Sequence, residues 1–205
     1  MELPIQNIFG WLNIAGILVF AASGALIAAR RQLDFIAAWF FALITATGGG
    51  TLRDLLIGAP VFWMIDPAPV ILCSAVAGLT WAVPLHWWPN RALEWLDAAG
   101  LAAFSVYGAG KAMQIGIPPI PAVAAGVITA CIGGVIRDIT AGSPSILLRN
   151  EIYVTASFVA AAAFVLLAFL GLATPWPSVC GFTLGFALRG AAIRWNLALP
   201  SHRGQ

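Results

Sequence analysis

The chain has 205 residues, of which 61% are hydrophobic and only 9% charged, and its formal net charge at pH 7 is +2. This composition, with a mean hydropathy of +0.94, excludes a soluble globular domain and a disordered chain, because both need far more charged surface. It also excludes a nucleic-acid-binding protein, since no basic run is longer than Arg30-Arg31. What remains is an all-α membrane protein, because the apolar runs are about 20 residues long and do not alternate as barrel strands do.

Seven apolar runs predict seven transmembrane helices joined by short loops, most of which contain Pro or Gly. In chain order the predicted helices cover residues 8–29, 35–57, 69–85, 93–113, 119–141, 152–172 and 178–195. Because the loops are short, we expect residues 1–205 to form a single transmembrane domain in contact with membrane lipids.

The distribution of basic residues predicts the orientation of this bundle. With seven spans, one side of the membrane receives six arginines: Arg30, Arg31, Arg91, Arg149, Arg194 and Arg203. The other side receives only Lys111, near the end of the fourth span. Cytoplasmic loops carry the excess of Lys and Arg. We therefore expect the N-terminus outside and the C-terminus in the cytoplasm, in the cell (inner) membrane.

An internal repeat aligns residues 11–60 with residues 95–144 at a constant offset of 84, without a gap. The identities include rare residue types: Trp11 with Trp95, Arg53 with Arg137, Asp54 with Asp138, and Pro60 with Pro144. Each copy contains three spans, about 8–89 and about 93–172, so the second copy enters the membrane from the opposite side. We therefore expect two inverted three-helix repeats plus a seventh helix at about 178–195, an arrangement typical of transport pathways.

Each repeat carries one Gly-Gly-x-x-Arg-Asp element inside an apolar span. The glycines destabilise the helix, which predicts kinked and broken second and fifth helices at Gly48, Gly49, Gly50, Gly133 and Gly134. In lipid such a break is tolerated where it is buried in protein or lines a wet cavity. Each charge that follows costs about 2.5–3.5 kcal/mol at a span centre, so we expect Arg53, Asp54, Arg137 and Asp138 to face the bundle interior.

The partners of these four charges follow from helix geometry. Adjacent residues point about 100° apart on a helix, so an Arg and the Asp that follows it should not face each other. Near-symmetric cross-pairing between the two repeats is the simplest arrangement. Two roles stay open and are compatible: the charges hold the repeats together close to the helix ends, or they line an ion pathway.

Other polar residues inside the spans are few. Ser23, Thr45 and Thr129 are candidates for the pathway. Tyr107 and Lys111 are four residues apart and share a helix face, so they are candidates for a gate or a voltage sensor, although Lys111 could also extend to the membrane surface. The sequence contains no metal-ligand spacing and no catalytic motif, so we expect neither cofactor, nor metal, nor enzymatic activity.

These elements resemble the prokaryotic trimeric intracellular cation (TRIC) channel family, also described as a glycine-transporter-type membrane domain. The resemblance rests on two Gly-Gly-x-x-Arg-Asp elements, each followed by Gly-x-Pro, one in each three-span repeat, plus a seventh span. It covers about residues 8–195, and Ile132 replaces the first glycine of the triplet in the second copy. It implies a homotrimer with one pore per protomer, permeable to K⁺ and Na⁺ and favouring K⁺, lined by the kinked second and fifth helices.

Two other functions stay open on the sequence alone. A secondary carrier for a small zwitterion such as glycine also uses inverted repeats with broken helices, and an Arg with an Asp could hold its carboxylate and its amine. A membrane scaffold without transport is the third alternative. We favour the potassium-permeable channel.

Overall fold

The computed structural model describes residues 8–148, 151–173 and 175–198. Within these ranges the chain forms eight α-helices: α1 Ile8–Arg30, α2 Phe35–Leu56, α3 Phe62–Ile65, α4 Ala68–Ala82, α5 Ala92–Gln114, α6 Pro119–Thr140, α7 Val154–Phe169 and α8 Pro175–Trp195. Short 3₁₀ helices cover Leu85–Trp87 and Ile146–Leu148. The chain is therefore an all-helical protein, as its composition predicts.

The long helices follow the seven predicted spans in order, with differences at their ends. The third ends at Ala82 instead of residue 85, because Pro84 lacks the N–H group that a helix needs. The single turn α3 is additional. By length and composition α1, α2 and α6 can cross a membrane, while α4 and α7 are apolar but shorter. The exact number of spans stays a prediction, as does the orientation, for which Arg149 and Arg203 lie outside the described residues.

Helix packing divides the bundle into two groups of three. The first group is α1, α2 and α4, and the second is α5, α6 and α7. The groups meet where α1 packs against α5 and α2 packs against α6, while α8 lies against α5 and α7. Between α1 and α5, Phe20 and Phe104 form an edge-to-face pair with ring centroids 5.2 Å apart. Each ring lies over a glycine of the other helix, Gly100 and Gly16 respectively.

The crossing of α2 and α6 is formed by backbone atoms. A Cβ atom added to Gly49 would collide with the carbonyl oxygen of Thr129, and one added to Gly133 would collide with that of Thr45. The two contacts are equivalent, because the repeat offset of 84 relates Gly49 to Gly133 and Thr45 to Thr129. The later residue of the α2 pair, Gly49, contacts the earlier residue of the α6 pair, Thr129. The two helices therefore run antiparallel. Their C-terminal ends therefore lie on opposite sides of the crossing.

The glycines do not break their helices. The chain stays α-helical through Gly48, Gly49 and Gly50 in α2 and through Gly133 and Gly134 in α6. The predicted break is therefore wrong, and a kink at these positions stays a prediction. The physical reason is that small residues serve a second purpose, because they let two helix backbones approach closely inside a bundle.

Both helices end in the same way. Gly58 and Gly142 adopt positive φ angles of 68° and 63°. The chain then folds back, with Ala59 N donating to Asp54 O at 2.8 Å and Ser143 N donating to Asp138 O at 2.9 Å. These are the hydrogen bonds of a left-handed C-terminal cap. The cap fixes the direction in which the chain leaves the last turn.

At the other end of α2, the side chain of Asp34 caps the helix. The loss of stability on removing this cap should be measurable. Its side chain accepts a hydrogen bond from the backbone N–H of Ala37 at 2.7 Å. We expect Asp34→Ala to lower the free energy of unfolding by about 1 kcal/mol, because an N–H of the first turn loses its acceptor. Thermal unfolding of purified protein in detergent would measure this. Asp34→Asn, which keeps an acceptor oxygen, should stay close to the wild type; equal losses in both variants would contradict the capping role.

Candidate functional site

The four charges of the repeated motif are buried, as the sequence predicts. Arg53 and Asp54 lie in the last turns of α2, and Arg137 and Asp138 in the last turns of α6. Their exposed fractions are 1%, 0%, 2% and 6% respectively. Because the two helix ends lie on opposite sides of the crossing, the charges form two separate clusters.

Within each cluster the arginine pairs with the aspartate that follows it. Arg53 Nε and Nη2 donate to Asp54 Oδ1 at 2.9 and 2.8 Å. Arg137 Nε and Nη2 donate to Asp138 Oδ1 at 3.0 and 2.8 Å. Neither arginine binds the aspartate of the other repeat, so the predicted cross-pairing of these four charges is wrong. The 100° separation applies to the Cβ atoms, but the long arginine side chain spans that angle along the helix surface and reaches its neighbour.

The second carboxylate oxygen of each aspartate anchors the returning chain. Asp54 Oδ2 accepts from the backbone N–H of Phe62 at 3.0 Å, and Asp138 Oδ2 accepts from that of Ile146 at 3.1 Å. Phe62 begins α3 and Ile146 begins the 3₁₀ helix Ile146–Leu148. Each aspartate thus joins the helix end, the arginine and the segment beyond the glycine turn.

Cluster one consists of Arg53, Asp54, Lys111, Tyr107 and Phe62. Lys111 Nζ donates to Asp54 Oδ1 at 2.8 Å, and its side chain is 21% exposed. The guanidinium carbon of Arg53 lies 5.1 Å from the ring centroid of Tyr107 and 6.0 Å from that of Phe62. The two gate candidates Tyr107 and Lys111 are therefore brought to the motif. Lys111 points to a buried carboxylate instead of extending to the membrane surface.

Cluster two consists of Arg137, Asp138, Asp97 and Ser23. Arg137 Nη1 donates to Asp97 Oδ1 at 2.7 Å and to Ser23 Oγ at 3.1 Å. Ser23 is a predicted site residue, whereas Asp97 is missing from the prediction. Asp97 is 1% exposed. The signal for it was present, because an aspartate within the predicted span 93–113 requires a buried partner.

A third buried arginine borders cluster two, and the sequence reasoning missed it as well. Arg189 on α8 is 1% exposed. Its Nη2 donates to Glu151 Oε2 at 2.7 Å, and its guanidinium carbon lies 5.3 Å from the ring centroid of Tyr153. Like Asp97, Arg189 lies inside a predicted span, 178–195, and this position alone marks it as a charge that needs a partner.

Two small cavities lie at or near cluster two. One, of about 140 Å³, is lined by Asp97, Arg137, Asp138, Glu151 and Arg189 among others. The second, of about 220 Å³, is lined by residues that include Arg91 and Asn196. Glu94 and Glu151 line both cavities. Polar side chains therefore line these two neighbouring spaces beside the buried cluster.

The remaining predicted site residues lie at or near the helix crossing. Thr45 and Thr129 donate their hydroxyl hydrogens to carbonyl oxygens of their own helices, both at 2.6 Å. Gly50 faces the ring of Phe62, and Gly134 faces the hydroxyl of Tyr153 beside Asp97. Gly48 faces Ile136 and lines an apolar groove. The crossing thus separates the two clusters, and a pathway role for these residues stays a prediction.

The chemistry of the clusters is electrostatic. Each combines positive and negative side chains in a buried setting, where charges interact strongly and salt screens them little. Among the described residues, no group of three or more His, Cys, Asp or Glu side chains is arranged to hold a metal ion. Such clusters can bind, repel or exclude ions, and their ion pairs can open or close a passage.

Comparisons with known proteins agree with this arrangement. A family model described as "Glycine transporter" matches residues 10–85 and 94–168, and these segments fall on the two helix groups. The inner membrane protein YadS of Escherichia coli K12 is 38% identical over 198 residues, covering 93% of this chain and 94% of that protein.

Solved structures show the same fold. The TRIC trimeric intracellular cation channel orthologue from Rhodobacter sphaeroides superposes with a TM-score of 0.87 at 39% identity, covering 94% of this chain and all of that one. A second structure, from work on conductance through TRIC cation channels, superposes with a TM-score of 0.85 at 29% identity, covering 96% of this chain and 98% of that one.

Proposed function

Because the chain belongs to the prokaryotic trimeric intracellular cation (TRIC) channel family, we propose that it is a potassium-permeable channel for monovalent cations. Three copies assemble as a homotrimer in the inner membrane, and each protomer contains its own pore. The observation that carries this proposal is the pair of buried charge clusters on opposite sides of the α2–α6 crossing. The proposed pore runs along this crossing, from one cluster to the other.

The ion pairs reduce the repulsion that arginines would exert on cations in the proposed pathway. An unpaired arginine would repel cations from the pore. Here Arg53 and Arg137 each pair with an aspartate at 2.8 Å. The same pairs also support a gate, since the paired side chains lie at the two ends of the proposed pathway. Opening then requires these side chains to move away from the helix crossing.

The two helix groups are proposed to be inverted repeats with the N-terminus of the chain outside and the C-terminus in the cytoplasm. The antiparallel crossing of α2 and α6 and the excess of arginine on one side support this topology. Reporter fusions after Gln205 and in the loop near Pro175 test it, because they should report opposite sides of the membrane. A C-terminal fusion active outside the cell would reject the orientation.

Single-channel recording of the purified protein in planar bilayers tests the function. We expect discrete openings in KCl with reversal potentials that follow the K⁺ gradient. A carrier predicts silence in this assay together with saturable exchange of glycine in liposomes. That second result would reject the channel.

Removal of one arginine tests whether the clusters line the pathway. We expect Arg53→Ala and Arg137→Ala to increase the cation conductance or the open fraction. The increase should be clearest at about 10 mM salt, where screening is weak and the Debye length is about 30 Å. Arg194→Ala is the control, since this arginine is exposed at the end of α8. Unchanged conductance in both cluster variants would leave the charges with a structural role alone.

A further inference from the structure

The two clusters carry opposite net charge. In cluster one the single carboxylate of Asp54 faces two cations, Arg53 and Lys111. In cluster two the single cation of Arg137 faces two carboxylates, Asp97 and Asp138. One cluster therefore holds one positive charge in excess, and the other holds one negative charge in excess.

Both clusters contain buried polar atoms without a hydrogen-bond partner among the described residues. Arg53 Nη1 is a buried donor and Asp97 Oδ2 a buried acceptor, and neither has a hydrogen-bond partner among the described residues. Beside cluster two, the hydroxyl of Tyr153 and Nε of Arg189 are buried donors that also have no partner among the described residues, so the ion pairs alone carry the difference in charge. The pair formed by Arg189 and Glu151, which borders cluster two, contributes one charge of each sign.

Two sequence positions produce the difference. At the repeat offset of 84, Lys111 corresponds to Ile27 and Asp97 corresponds to Asn13. Both copies contain the arginine and the aspartate of the motif. In both, the aspartate accepts a hydrogen bond from a backbone N–H eight residues further along the chain. The two ends of the proposed pore are therefore alike in their backbone and opposite in their charge.

Charges at the protein surface do not override this difference at physiological salt. Arg30, Arg31 and Arg194 are exposed on the side of cluster two, where the Debye length is about 8 Å at about 0.15 M salt. The clusters are buried, so salt screens them far less. A cation inside the proposed pore senses mainly the buried charges.

From this we propose that the open pore rectifies, with Asp97 and Lys111 as the residues that set its direction. The proposal rests on the pore proposed above. Cations that enter past cluster two are concentrated by its negative charge, whereas cations that enter past cluster one are depleted by its positive charge. A buried unit charge about 10 Å from the ion, which salt screens little, changes the local cation concentration about twofold even at the dielectric constant of water. With the proposed topology, outward cation current is the larger one.

Recordings from inside-out patches of giant spheroplasts test this, because the membrane orientation is known there. The measured quantity is the unitary open-channel current at equal and opposite voltages in symmetric KCl at about 150 mM, which separates permeation from gating. We expect the wild type to pass about twofold more current outward than inward.

Exchange of residues between the repeats provides matched variants. Lys111→Ile with Asp97→Asn makes both clusters neutral, and the current ratio should fall to about one. Adding Ile27→Lys and Asn13→Asp moves the two charges to the other ends, and the direction of rectification should reverse. Lys111→Arg and Asp97→Glu keep the charges and should keep the ratio, even if the exchanged variants fold poorly.

The outcomes separate this inference from the proposed function. Openings that are ohmic in the wild type, or a ratio that survives neutralisation of both clusters, would overturn the inference and leave the channel in place. Patches of well-expressed wild type without any openings would overturn the channel itself.

Discussion

Asp54→Ala should be among the most destabilising single substitutions in this protein, with a loss of about 3–5 kcal/mol in the free energy of unfolding. The carboxylate accepts hydrogen bonds from Arg53, Lys111 and the backbone of Phe62. Its removal leaves two cations without a counter-charge beside each other, and Arg53 is only 1% exposed. It also releases the chain at the start of α3. Thermal unfolding in detergent, monitored as the fraction of protein that remains monodisperse after heating, measures the loss.

Two control variants make this test specific. Asp66→Ala removes an exposed aspartate whose side chain accepts one hydrogen bond from Ala68 N at 2.9 Å, so it should cost about 1 kcal/mol or less. Asp54→Ala combined with Lys111→Ile removes one of the two unpaired cations. The double variant should therefore lose less free energy of unfolding than the two single variants lose in sum. Strict additivity would show that the three charges do not form one network.

Gly49→Ala and Gly133→Ala should each cost about 1–3 kcal/mol, because one added methyl group meets a carbonyl oxygen that cannot move aside. In both cases the atom in the way belongs to the backbone of the crossing helix. The helices must separate to admit the methyl group. The melting temperature in detergent would show the loss, and the single-channel conductance would show whether the pathway changes.

Other glycines of the same type serve as controls. Gly78 lies inside α4 with no atom within 4 Å of an added Cβ, so Gly78→Ala should be neutral or stabilise by up to about 1 kcal/mol. Gly48→Ala meets only the terminal carbon of Ile136, a side chain that can rotate away, and should cost less than Gly49→Ala. Equal losses at Gly48, Gly49 and Gly78 would contradict a specific backbone contact.

The positions of the long helices were predictable because hydropathy alone determines where an apolar chain can cross a membrane. That the motif charges are buried was predictable from the same argument. The partners were not, since pairing depends on how far an arginine side chain reaches and on which helices become neighbours. Lys111 illustrates this, because its partner Asp54 is 57 positions away and no periodicity connects the two.

The role of the glycines was predicted incorrectly because one residue type serves two purposes. A glycine in a helix interior can weaken the helix or let another backbone approach. Only the position of the second helix decides between them, and a single sequence does not contain it. Asp97 and Arg189, in contrast, could have been found, since each is a charge inside a predicted span.

The two glycine turns have a stereochemical consequence. Around Gly58 and Gly142 nothing lies within 4 Å of an added Cβ, so there is space for a side chain at both positions. The obstacle is the positive φ angle, which strains an L-residue and suits its mirror image. A D-alanine introduced by chemical synthesis would therefore fit both turns without the strain that L-alanine meets. These turns select glycine for the handedness of the backbone and not for the size of the residue.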